Sequence, residues 1–129
     1  MPSIFTRIIN GETPSYTIAE DEYCYAFLDI NPNAIGHTLC VPKKEVDKLF
    51  DLDTKTYIQL MEFAKRIAAA LEQAVPCKRV GMAIVGLEVP HAHVHLIPIN
   101  EMHEMSFQTK IKMQEDEMIS LVEKIKSKL

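Results

Sequence analysis

The sequence predicts an α+β fold: one antiparallel sheet of about five strands, one long central helix and a C-terminal helix, with the helices mainly on one face. Three observations predict it. Short apolar segments alternate with turn signals, and strands joined by short turns pair antiparallel. Between Asp53 and Val75, apolar residues recur every three or four positions, the period of an amphipathic helix. A similar stretch closes the chain between Ser106 and Lys126.

The elements follow in order. Ile4, Phe5, Ile8 and Ile9 fall at helical spacing, and Gly11 stops the helix. Tyr16 to Glu20 reads as a short strand. Tyr23 to Asp29, rich in aromatic and β-favouring residues, reads as a second. Asn31-Pro32-Asn33 marks a turn. His37 to Pro42 is a third strand, ended by a proline that cannot donate to a ladder. Asp53 or Thr54 caps the long helix, whose apolar stripe runs through Tyr57, Leu60, Met61, Ala64, Ile67, Ala68 and Leu71 until Pro76 ends it. Val80 to Val85 is a fourth strand and His91 to Ile99 a fifth. The last helix buries Ile111, Met118, Leu121, Val122 and Ile125.

A chain of 129 residues suits one domain spanning 1–129, large enough for a core without disulfide staples. Net charge is −4 and the pI is about 5.7, which argues against broad nucleic-acid binding. A single nucleotide remains open, because a few backbone N–H groups hold one phosphate. Cys24, Cys40 and Cys77 are odd in number and widely spaced, with no CxxC, so a reducing compartment is expected. The opening residues lack the apolar run of a signal peptide, and no stretch approaches the ~18 apolar residues of a membrane span. The expectation is a soluble cytoplasmic protein.

The chemistry concentrates in His91, His93 and His95. On a strand these alternate residues share one face, leaving Ala92, Val94 and Leu96 for the core. Adjacent imidazoles disfavour each other's charge, so at least one is neutral at pH 7. A neutral imidazole serves as nucleophile or base, and a protonated neighbour as acid. The rival chemistry is zinc held by His37, His91 and His95. The chain is too short for an HxH-bearing (β/α)₈ hydrolase, which needs about 200 residues or more. Gly86 is its last glycine, whereas a cupin-type site places glycines on both sides of the HxH. From the residues alone, nucleophile and metal ligand both stay open.

His91-Ala92-His93-Val94-His95-Leu96-Ile97-Pro98 resembles the signature of the histidine triad (HIT) family. Ile4-Phe5 with Ile8-Ile9, then Asp29-Ile30-Asn31-Pro32, then Gly36 to Lys44, look like that family's further blocks, in order. The resemblance covers roughly residues 3–103 and leaves a helical extension over 104–129. It implies a HIT-like fold, a homodimer, and a nucleotide hydrolase or transferase working through a nucleotidyl–histidine intermediate. Nucleoside phosphoramidates, adenylylated amines and dinucleoside polyphosphates are the implied substrates, with a purine nucleotide such as an AMP derivative bound.

By the same resemblance, His93 is the nucleophile and His95 sits near phosphate and leaving group. His91 and His37 belong to the surrounding hydrogen-bond set. Asp29 binds the ribose hydroxyls, and Ile4, Phe5, Ile8, Phe27, Ile30 and Leu39 surround the base. Gly86, Glu88 and Val89 form the phosphate loop. No cofactor is required in this reading. The alternatives are a non-catalytic nucleotide-binding protein, or a zinc-binding one using the histidine cluster.

The loop departs from the family pattern. Many members run Gly-Gln-Ser/Thr-Val-x-His into the triad, with an Asn upstream. Here Leu87 replaces the Gln, Glu88 replaces the hydroxyl residue, and Ile84-Val85 occupy the stretch of the Asn. An ionised carboxylate donates no hydrogen bond. Losing one donor aimed at developing charge costs about 2.7–4 kcal/mol in comparable sites. The expectation is that Glu88 points away, that activity is low, or that the preferred substrate differs. Pro90 stiffens the approach to the triad. Met102, Met105 and Met113 suggest either an apolar lid or plain packing. Lys43-Lys44 reads as a solvated pair.

Overall fold

A computed structural model describes residues 2–129. Helix α1 spans Ile4–Ile9 and strands β1 and β2 span Thr17–Glu20 and Cys24–Leu28. Strand β3 is Thr38–Pro42, helix α2 is Thr54–Ala74, and strands β4 and β5 are Arg79–Ala83 and Val94–Ile99. Helix α3 closes the chain at Glu115–Lys126. The five strands form one sheet in the order β1-β2-β3-β5-β4, antiparallel throughout.

The alternation of β2, β3 and β5 divides two cores. Cys24, Ala26, Leu28, Cys40, Val94 and Leu96 face α2 and α3. Tyr25, Phe27, Leu39 and Val41 face the other way, where Phe5 and Ile8 of α1 cover them. The larger core is closed by Leu60, Phe63, Ile67 and Leu71 of α2 with Met118, Leu121 and Ile125 of α3. Burying one such side chain is worth about 1.5–3 kcal/mol. Asp53 caps α2 as the sequence suggests, accepting from Thr56 N–H at 3.3 Å, and Ser3 Oγ caps α1 by accepting from Thr6 N–H at 3.0 Å.

Three boundaries differ from the sequence expectation by two residues or more. The ladder of β5 begins at Val94 rather than His91. Upstream, His91 N–H goes to Val89 O and Ala92 N–H to Val46 O, so these donors serve a loop instead of β3. The face alternation still holds, since Ala92 joins Val94 and Leu96 in the large core. Strand β4 ends at Ala83, and Ile84 and Val85 lie exposed beyond it.

The last helix starts at Glu115, not Ser106; Glu117 Oε1 accepts from Gln114 N–H there at 2.8 Å. Residues 106–114 form an irregular arm, tied down where Ile111 N–H donates to Pro32 O at 2.9 Å. Ile111 thus belongs to the arm and not to the helix. The methionines do not make a lid: Met105 packs on Gly81, Met113 packs on the large core, and Met102 is exposed.

Lys43 and Lys44 pair with Glu20 and Asp53 at 2.8 and 3.3 Å. All three cysteines are free thiols. Among the described residues, no helix is long and apolar enough to cross a membrane.

Candidate active site

A cavity of about 430 Å³ opens on the sheet face covered by α1. Ile4, Phe5 and Ile8 from α1 and Phe27 and Leu39 from the sheet give it an apolar wall. Asp29 and Ile30 follow from the end of β2, and Gly86, Glu88 and Val89 from the loop before the triad. His93 and His95 complete the polar side. Every residue expected around the nucleotide therefore lines one cavity. Glu88 is among them, as an exposed residue. Its charge also acts to raise the Asp29 carboxyl.

The two cavity histidines differ in which nitrogen they spend. His93 Nδ1 lies 2.7 Å from the His91 carbonyl, which only accepts, so Nδ1 carries a proton. In the neutral ring the lone pair is then on Nε2.

His95 is reached through a chain. Asn33 N–H donates to His37 Nδ1 at 2.9 Å, so His37 keeps its proton on Nε2 and donates it to His95 Nδ1 at 2.9 Å. Burial and the neighbouring histidines and lysine push His37 down to about 3 and His95 down to about 4, so both rings are neutral at pH 7. His95 therefore carries its proton on Nε2. Among the described residues no buried side-chain nitrogen lacks a partner. The Nε2 atoms of His93 and His95, which have none, are therefore open to the cavity. One presents a lone pair and the other an N–H, on rings 4.9 Å apart.

His91 is different. It is fully buried and does not line the cavity. Its Nε2–H donates to Pro42 O at 2.7 Å, and its Nδ1 accepts from Ser3 Oγ at 2.7 Å. Glu45 Oε1 in turn accepts from Ser3 N–H at 2.7 Å and Thr6 Oγ1 at 2.5 Å, which holds that carboxylate near 2. His91 thus moors the first turn of α1, and its carbonyl fixes His93.

Both His91 nitrogens are occupied, so His37, His91 and His95 do not form a metal set. Asp29, His37 and His95 are the trio whose ligand atoms lie within 4.8 Å of one another. A divalent ion there would have to displace the His37–His95 hydrogen bond. Asp29 also accepts from Asn31 N–H at 2.8 Å, while burial raises its carboxyl.

The model of the HIT domain family matches residues 10–102. The chain belongs to the HIT family. An adenosine 5'-monophosphoramidase of Saccharomyces cerevisiae is 42% identical over 96 residues, 74% of this chain and 61% of that protein. An uncharacterized HIT-like protein of Borreliella burgdorferi is 40% identical over 102 residues, 74% of this chain and 73% of that one. Among solved structures, a Hit-like protein of Bartonella henselae superposes with a TM-score of 0.86 at 31% identity, covering 98% and 96% of the two chains. A zinc-bound histidine triad protein of Mycobacterium smegmatis follows at 0.83 and 27%, covering 97% and 91%.

Two cavity residues lie past the C-terminal end of the HIT match, and sequence reasoning missed both. Phe107 sets its ring against His95 at 4.7 Å, and Lys110 lies 5.1 Å from the Phe107 ring. Thr13, Pro14 and Ser15 also line the cavity, from the loop after α1. The arm reads as helix by composition, which hid Phe107 and Lys110. The available signal was the Gln114/Glu117 pair, which places the helix start beyond them.

Proposed function

We propose that this HIT protein hydrolyses nucleoside phosphoramidates or related adenylylated compounds, with His93 as the nucleophile. The observation that carries this reading is the opposite tautomers of His93 and His95 side by side. His93 Nε2 forms a bond to phosphorus, and the departing amine leaves with the electron pair and takes a proton from solvent. The positive charge developing on the His93 ring meets the His91 carbonyl at 2.7 Å. His95 Nε2–H donates to a phosphoryl oxygen or to the departing group. Water then attacks phosphorus, gives a proton to solvent and releases His93 with its lone pair. Asp29 accepts from the ribose hydroxyls, and the Phe5–Phe27 wall holds the base.

The phosphoramidase relative in yeast supports this substrate class. The chemistry on this reading is that of the imidazoles; zinc on Asp29, His37 and His95 is the rival and is checked by metal analysis of untagged protein. The reading extends to a homodimer, since β4 leaves one sheet edge unpaired with Met82, Ile84 and Val85 exposed near it. Sedimentation velocity tests that part.

The test of mechanism is His93→Ala. Turnover of adenosine phosphoramidate should fall by roughly three orders of magnitude or more while AMP still binds by calorimetry. Binding of AMP with no turnover by the wild type would instead leave a nucleotide-binding protein.

A further inference from the structure

The arm that follows the triad brings a single cation to the cavity. Lys110 is the one lysine or arginine among its lining residues. Its Nζ donates to Asn33 Oδ1 at 2.8 Å. Asn33 is only 3% exposed and is fixed twice more, by Nδ2–H to Glu104 O at 3.1 Å and by its backbone N–H to His37. Lys110 is thus attached to the same residue that sets the His37–His95 tautomers. Among the described residues, the recorded ion pairs leave Lys110 without a carboxylate partner. A half-buried ammonium with one neutral partner keeps two N–H donors and its full charge for something else.

The cavity also needs such a group. Residues 86–90 offer no side-chain donor, and Glu88 places a carboxylate at the mouth. A phosphate entering there meets repulsion on the loop side and attraction on the side of His95 and Lys110.

We propose that Lys110 is the specificity-determining cation of this site, binding the phosphoryl oxygens of the nucleotide in place of the donors that Leu87 and Glu88 do not supply. This rests on reading the cavity as a nucleotide site. It goes beyond that reading, because the lysine lies outside the family match and the contact belongs to this chain's own arm. An ammonium–phosphate contact is charge-assisted, so it separates charged from uncharged ligands that share one base and sugar.

Calorimetry with adenosine and with AMP separates the possibilities. Lys110→Gln keeps a donor for Asn33 Oδ1 and removes the charge. AMP should bind this variant about tenfold more weakly, adenosine within about twofold of wild type, and added salt should narrow the AMP difference. Lys110→Glu should weaken AMP further and still spare adenosine. Equal AMP affinity in wild type and Lys110→Gln overturns the proposal and leaves the nucleotide site standing. Parallel loss of adenosine and AMP overturns it in favour of a packing role. If the wild type binds neither ligand, the nucleotide reading itself falls, and the lysine's role falls with it.

Discussion

His91 and His95 sit four positions apart on one face, yet the fold uses them in opposite ways. His91 spends both nitrogens on the protein, one on Pro42 O and one on Ser3 Oγ. His93 and His95 spend only Nδ1 and turn Nε2 to the cavity. The difference comes from what lies opposite each ring. Beside His91 stands the capped first turn of α1, with its hydroxyls and the Glu45 carboxylate. Beside the other two stands open volume. A motif of three like residues thus divides into one anchor and two candidate reactive groups.

The largest effect expected within that comparison, apart from removal of His93, is on His95→Ala. Its kcat should fall on the order of a hundredfold with AMP affinity near wild type, because a donor aimed at developing charge is lost. Steady-state kinetics with calorimetry check this, and an unchanged kcat would place His95 with His91 as an anchor. His91→Ala should instead act on the fold. It empties a buried site and removes the partner of the Ser3 O–H and the side-chain donor to the Pro42 carbonyl, at about 2–4 kcal/mol by denaturant unfolding. The residue 91 carbonyl survives the substitution, so kcat should change little. A large kcat loss without loss of stability would erase the distinction.

Ring by ring, the smallest effect is on the pH dependence of stability. His37 and His95 are held near 3 and 4, below the usual 6.5 of an unfolded histidine. The unfolded chain therefore binds more protons below pH 6.5, and stability falls as pH drops from there toward the folded values. Between pH 7 and pH 5 each ring costs about 2 kcal/mol on this arithmetic. Unfolding at the two pH values checks it; burial sets most of its size, and the neighbouring histidines and Lys110 add to it. A stability flat across that interval would mean the chain from Asn33 to His95 is not neutral.

Much of the fold was legible in local pattern. Order, type and rough length of the strands and of α2 follow from residues that sit side by side in sequence. So does the cap at Asp53. The boundaries at His91 and Ser106 were not legible, because each depends on where backbone donors find acceptors: Val46 O for Ala92, and Pro32 O for Ile111. The arm shows the same limit in the site itself. Phe107 and Lys110 carry no periodic signal, and they reach the cavity only because the chain folds back over Asn33 after β5.

The sequence by itself determined that three histidines share a face opposite the core, and which motif they spell. Side-chain alternation is a local property of extended chain, and needs no partner to be read. Only the tertiary structure decided which ring nitrogen is left over. Ser3 and His91 are 88 positions apart, and His37 and His95 are 58 apart. An imidazole's free nitrogen is defined by the bond its other nitrogen makes, and those bonds exist only when the chain has closed.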